Sequence, residues 1–186
     1  DYSTPIHNFN AYYIGKVGKL SVDFNATYYW KRSGRIMHMC EQGTDLESRD
    51  VHTQSSQHGR MSAAKLVLSY PLWSGTLSAG SELSSSNTLG RYNNDEQYVD
   101  ASNTEIRERN IAGFAEYALN LGSLSVGAGV RYEHITSRYY TYGQWQEQPS
   151  RRYADWFPSA SLSWSKGKWS WQLGYTRKTH RPSYNS

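Results

Sequence analysis

The chain has 186 residues, a formal net charge of +4 and a mean hydropathy of −0.79. That is enough for one domain. No run of eighteen apolar residues occurs, which excludes a transmembrane helix but not a transmembrane barrel, whose strands carry apolar residues at alternate positions.

The first clear element is Leu20-Ser-Val-Asp-Phe-Asn-Ala-Thr-Tyr-Tyr-Trp30. Leu20, Val22, Phe24, Ala26, Tyr28 and Trp30 share one face, and Ser21, Asp23, Asn25 and Thr27 share the other. A period of two is the mark of a strand with one apolar and one wet face. Its length, about ten residues, is what a tilted strand needs to cross a bilayer. The same rhythm predicts about eight strands in four hairpins. They run over about 7–31, 60–89, 110–136 and 156–179, with tight turns at Gly18-Lys19, Pro71 to Gly75, Asn120 to Gly122, and Lys166 to Lys168. Gly and Asn there supply the positive φ of short hairpins.

The stretches between hairpins, Arg32 to Gly59, Gly90 to Arg109 and Ser137 to Asp155, are long and polar and read as loops. Short turns at one end and long loops at the other is the asymmetry of an outer-membrane barrel. Charge agrees: Lys16, Asp23, Lys65, Glu82, Glu116, Arg131 and Glu133 all take the polar parity of their strands. A lipid-facing Arg or Lys near the bilayer centre would cost about 2–4 kcal/mol. Arg177 breaks the parity at a strand end, where it can snorkel. The fold class expected is all-β: an antiparallel up-and-down meander forming a partial transmembrane β-barrel, residues 1–186 being one wall segment. Small residues on the inward parity, Gly127, Gly129, Ser159, Ser161 and Ser163, leave space that an eight-stranded barrel would have to fill. That favours a wall of a larger barrel over a complete small one. No secretory leader is read at Asp1, and the last residues, Arg181-Pro-Ser-Tyr-Asn-Ser186, read as a loop or rim without a closing aromatic strand.

Family-like words lie in the second half. Ile111-Ala-Gly-Phe-Ala-Glu-Tyr117 and Leu124-Ser-Val-Gly-Ala128 are followed by Gly129-Val-Arg-Tyr-Glu133, Phe157-Pro-Ser-Ala-Ser-Leu162 and Tyr175-Thr-Arg-Lys-Thr-His-Arg-Pro-Ser-Tyr184. In that order they resemble the barrel of TonB-dependent outer-membrane receptors, in the branch called the outer membrane protein beta-barrel family. The resemblance is carried by about Asn110 to Tyr184; before that it rests on hairpin rhythm. It implies a barrel of about twenty-two strands, filled by a plug domain and driven by an energy-coupling inner-membrane protein, in the Gram-negative outer membrane. Such receptors import scarce nutrients. No plug and no energy-coupling box is read in this sequence, and the wall motifs fix no ligand residue.

Candidate chemistry is sparse. Arg131 and Glu133 lie two apart on one strand and point inward with Glu116, as a lumenal charge network or as wall-stabilising ion pairs. Tyr139, Tyr140, Tyr142 and Trp145 form an aromatic group on the third polar stretch, fitted to stack on a ligand or to pack a loop. Trp164, Trp169 and Trp171 flank the Lys166 to Lys168 turn and read as membrane girdle, with Trp156 a further candidate. Met37-His-Met-Cys40 gathers soft donors, with His52 and His58 nearby, but the spacing matches no ordinary zinc site, so His38, Cys40, His52 and His58 are weak metal candidates. Cys40 is the single cysteine and makes no internal disulfide. Carboxylates at Asp95, Glu96, Asp100, Glu105 and Glu108 read as solvated loop groups rather than a hydrolase pair. Lys and Arg are scattered, so no nucleic-acid partner is expected. No cofactor is expected, nor enzyme activity. The reading is a wall segment of a nutrient transporter in contact with outer-membrane lipid, a plug, further barrel strands and an unknown ligand. An isolated segment would self-associate through its edges. The alternatives are a small complete outer-membrane barrel serving as adhesin or anchor, and a soluble β-sheet binding module.

Overall fold

The computed structural model describes residues 2–41, 49–96 and 98–177. These form one antiparallel sheet of β1 (Tyr2–Ser3), β2 (Ile6–Val17), β3 (Leu20–Glu41), β4 (Arg49–Leu72), β5 (Gly75–Asn94), β6 (Ser102–Leu121), β7 (Leu124–Thr141), β8 (Gln144–Lys166) and β9 (Trp169–Thr176). β1 and β2 both pair with β3, so together they act as one strand, and the rest follow in sequence order as an eight-stranded meander. The sheet does not close; among the described residues β2 and β9 are its edges.

Four strand pairs are joined by tight hairpin turns. Val17 pairs with Leu20, Leu72 with Gly75, Leu121 with Leu124, and Lys166 with Trp169, leaving two-residue turns. Gly18, Gly122 and Gly167 take φ values of 62°, 61° and 62°, a region closed to most side chains.

The structure differs at the other end. The stretches read as long loops are mostly strand. β3 and β4 stay paired from Arg32↔His58 out to Glu41↔Arg49, and β5 and β6 out to Tyr92↔Ser102. β7 and β8 are joined by Tyr142-Gly143 alone, both with positive φ (49° and 76°). The physical reason is that these extensions are polar on both faces, so the alternation that marks a half-apolar strand disappears while the backbone ladder continues. In the last hairpin β9 ends at Thr176; Arg177 follows it outside the ladder, and residues 178–179 of the expected strand, like Arg181 and Pro182 beyond it, lie outside the described residues.

The sheet has one layer and almost no interior. Among the described residues Ala112 is the one buried hydrophobic side chain, while Phe9, Trp169 and Leu173 are 66–77% exposed. The ladder sorts the side chains onto two faces. One carries Leu20 to Trp30 of β3, Leu66, Leu68 and Tyr70 of β4, Leu77 and Leu83 of β5, Ile111 to Leu121 of β6, Leu124 to Tyr132 of β7, Trp156 to Trp164 of β8, and Trp169 to Tyr175 of β9, each at alternate positions. The other carries Asp23, Asn25, Lys65, Glu82, Glu116, Arg131, Glu133 and the serines of β8. A continuous apolar face of this extent, backed by no second layer, requires a non-aqueous neighbour.

The apolar band crosses the ladder obliquely. From Trp30 the register leads through Arg60, Asn87 and Arg107 to Arg138, yet the aromatic rim on β7 is Tyr132, six residues lower. The band therefore slips about one and a half residues per strand. With about 3.3 Å per residue and about 4.8 Å between strands, the strands tilt about 45° from the band normal, the stagger of a barrel wall. Leu20 to Trp30 then spans about 23 Å of depth, close to the apolar height of an outer-membrane barrel.

Candidate functional site

The face opposite the apolar band holds a chain of ion pairs across three strands. Lys65 Nζ of β4 lies 2.9 Å from Glu82 Oε1 of β5. Arg131 Nη2 of β7 donates to Glu82 Oε2 at 2.5 Å, and Arg131 Nε donates to Glu133 Oε1 at 2.7 Å. Glu82 faces Lys65 directly in register, whereas Arg131 reaches it across β6. It can do so because the intervening residue level with Glu82 and Glu133 is Ala112. Phe114, in register with Arg131, lies beneath both cations: Lys65 Nζ is 5.7 Å and Arg131 Cζ 5.9 Å from its ring centroid. Gly80 leaves room for that ring, since a Cβ there would stand 2.5 Å from Phe114 Cζ. The four charges sum to zero, so the network needs no outside counterion. Glu116 shares this face and lines the same shallow cavity, of about 240 Å³, but makes no salt bridge among the described residues.

At the far end of the strands the expected aromatic group is divided. Tyr140 and Trp145 are cross-strand partners on one face, and Tyr139 points to the other. Tyr142 sits in the turn, its hydroxyl donating to the Ala101 carbonyl, and Trp145 Nε1 donates to Ser150 Oγ at 3.0 Å. Arg107 stacks on Tyr140, 4.7 Å from the ring centroid, and is held by Glu105 through Nε at 2.7 Å and Nη2 at 3.0 Å. Arg107 in turn holds the Glu105 carboxyl below its ordinary range.

The soft-donor run is divided in the same way. His38 and Cys40 point to one face, Met37 and Met39 to the other, so the four cannot converge on one ion. His38 meets His52 edge-on, ring centroids 4.5 Å apart, while His58 lies six residues lower, opposite Arg32. Among the described residues no group of three or more His, Cys, Asp or Glu is placed to hold a metal. His52 instead clamps the β5–β6 connection. Its backbone N–H donates to Glu96 Oε2 at 2.8 Å, its ring pairs with Glu96 Oε1, and its carbonyl accepts from Asp95 N at 3.1 Å. The Glu96 carboxylate raises the His52 pKa, and the His52 contacts lower that of Glu96.

A profile described as "Outer membrane protein beta-barrel family" matches residues 15–186. The chain belongs to that family. Solved structures with the same fold include the copper transporter OprC (TM-score 0.69, 12% identity, 98% of this chain and 31% of that one) and the ferric citrate transporter FecA (0.62, 13%, 92% and 26%). The ferric yersiniabactin uptake receptor FyuA from Yersinia pestis is similar as well (0.62, 11%, 90% and 26%). The chain spans about a quarter to a third of the length of these TonB-dependent receptors. No curated protein matches the sequence. As a family member it resides in the Gram-negative outer membrane, which identifies the non-aqueous neighbour of its apolar face.

In the barrel-family wall the tryptophans fall at two levels. Trp164 and Trp171 stack at 6.3 Å beside the short turns, with Trp169 two residues beyond Trp171. Tyr132 and Trp156 meet at 4.8 Å at the opposite rim, and Trp30 stacks on His7 at 5.0 Å. Two levels of aromatic rings bounding an apolar band is the pattern of the girdles in such barrels. Lys65 and Glu82 are the partners that sequence reasoning left out of the charge network. Their shared parity was visible, but their pairing with Arg131 depends on a register that joins residues 49 positions apart.

Proposed function

We propose that this wall belongs to an energy-coupled outer-membrane transporter that imports a scarce nutrient. The observation that supports it is the ion-pair network on the inward face, Lys65–Glu82–Arg131–Glu133, together with the open sheet. A wall that does not close on itself, with small inward residues (Gly127, Gly129, Ser159, Ser161, Ser163), would in a completed barrel leave a lumen that its own side chains do not fill. A lumen of that kind either conducts or holds a plug. The wall has the fold of transporters, and an inward ion-pair network whose charges cancel suits a plug that must stay seated and still be released. Tyr12 and Ile14 of β2, also on the inward parity and 76% and 73% exposed, offer an apolar seat for it. The upper strands, with Tyr139 on their inward face, would line the entry.

The test is uptake in cells that carry the whole protein. Import of a limiting nutrient that depends both on the protein and on the inner-membrane energy source supports the reading. Passive conductance through the purified protein, unaffected by that energy source, would show an open pore and overturn it.

A further inference from the structure

The outward face does not end at the aromatic rim. Above the band nearly every long strand presents an exposed arginine, from the residue next beyond the rim on β3 to six residues above it on β7: Arg32 on β3, Arg60 on β4, Arg91 on β5, Arg107 and Arg109 on β6, Arg138 on β7 and Arg152 on β8. On β6 to β8 they concentrate. Arg109 and Arg152 flank Thr136 in one ladder row, Arg107 faces Arg138 in the next, and His134 lies below, level with Ile111. Together they line a groove of about 420 Å³. Arg107 is neutralised by Glu105, but Arg109, Arg138 and Arg152 have no acidic partner among the described residues. Like charges directly opposite each other weaken a sheet, so this arrangement calls for an external anion.

A second groove, of about 600 Å³, meets the first at Arg109 and Ile111. It runs down the band over Ala11, Ala26 and Ala64, between Phe9, Tyr28, Leu83 and Ile111. The alanines form its floor and the larger side chains its walls. An apolar channel on the bilayer side that opens upward into a cluster of guanidinium groups has the chemistry of one ligand: a phosphorylated glycolipid, with an acyl chain along the alanines and its phosphate among the arginines.

We propose that this face is a binding site for a lipopolysaccharide molecule of the outer leaflet. Arg109, Arg138 and Arg152 hold a phosphate, and the Ala11–Ala26–Ala64 groove holds an acyl chain. Guanidinium forks match phosphate oxygens in pairs, and a site at the membrane surface excludes part of the competing water. The site lies on the opposite face from the lumen and makes no use of the transport reading.

The test uses the whole outer-membrane protein in detergent, with lipopolysaccharide and its dephosphorylated form as probes. The protein is expected to retain lipopolysaccharide through purification. Arg109→Gln/Arg138→Gln/Arg152→Gln should lower its affinity about tenfold, the loss expected from removing several half-exposed charge-assisted hydrogen bonds. Ala26→Trp, which fills the channel, should weaken it without touching any charge. Lys16→Gln, on the inward face, should change nothing. Heat-modifiable migration of each variant reports that the barrel is intact, and the single Arg152→Gln serves if the triple variant does not assemble. Equal binding of the dephosphorylated probe, unchanged affinity in the triple variant and in Arg152→Gln, or displacement by inorganic phosphate at the affinity of the glycolipid would each overturn the proposal. Uptake activity does not enter these readouts, so failure here and failure of the transport reading are separate results.

Discussion

Placing an arginine at Ala128 tests which face meets lipid. Ala128 points to the apolar side of β7, between Tyr117 of β6 and Ala160 of β8. It lies midway between Leu124 and Tyr132, the two limits of the band on that strand. Four residues at about 3.3 Å and a tilt of about 45° put each headgroup level about 9 Å away. An arginine side chain cannot span that distance without thinning the bilayer, so Ala128→Arg should cost the midplane value of about 2–4 kcal/mol. Ser78→Arg is the matched control. It lies on the inward face of β5, in register with Glu116, and loses only the 2.8 Å hydroxyl contact with Ser69. Its cost should stay within about 1 kcal/mol. Equilibrium urea unfolding of the whole protein from lipid vesicles measures both. Equal costs at the two positions, or a larger cost at Ser78, would refute the assignment of the faces.

Three further outcomes follow from named contacts. Glu82→Gln removes the carboxylate shared by Lys65 and Arg131 and should destabilise the wall by about 1–3 kcal/mol in the same unfolding assay, with Lys65→Met adding little once Glu82 is gone. Gly80→Ala puts a Cβ 2.5 Å from the Leu66 carbonyl oxygen and from the Phe114 ring, so it should lower stability by about 1–3 kcal/mol, partly rescued by Phe114→Leu. The His52–Glu96 clamp should depend on pH. His52 is raised in the folded state, so its contribution is complete below the ordinary histidine value and fades as pH rises through the raised one; Glu96 is lowered, so its part is lost only as pH falls through that lowered value. Protection of the His52 amide, read as hydrogen exchange relative to its intrinsic rate at each pH, should accordingly be greatest in mildly acid solution and fall at alkaline pH, and Glu96→Gln should remove that fall.

The sequence showed the wall best where one face is apolar. Leu20 to Trp30 and Leu124 to Tyr132 alternate because lipid selects one parity and water the other, and the glycines at 18, 122 and 167 mark where the chain must turn. The outer halves of the strands were hidden by the same logic. Asp50 to Gly59 carries polar residues on both parities, so no alternation separates it from a loop. Only Tyr142-Gly143, with its positive φ pair, carried a local sign of the tight turn inside Ser137 to Asp155. The charge network was half legible: Arg131 and Glu133 are neighbours on one strand, but Glu82 joins them through strand register, and Glu116, on the same parity, is left out because Gly129 and Ser78, its ladder neighbours, carry no charge. The soft-donor run at Met37 to Cys40 looked compact in sequence and is split between two faces in the sheet.

The most direct measurement of the central claim is a labelling scan along β7. With Cys40 replaced by Ser, single cysteines at 124 to 132 of the whole protein would each carry a fluorophore, read against a lipid-phase quencher. A lipid-facing band predicts strong quenching at the even positions 124, 126, 128, 130 and 132, and weak quenching at the odd ones. Uniform quenching, or quenching at the odd positions, would contradict it.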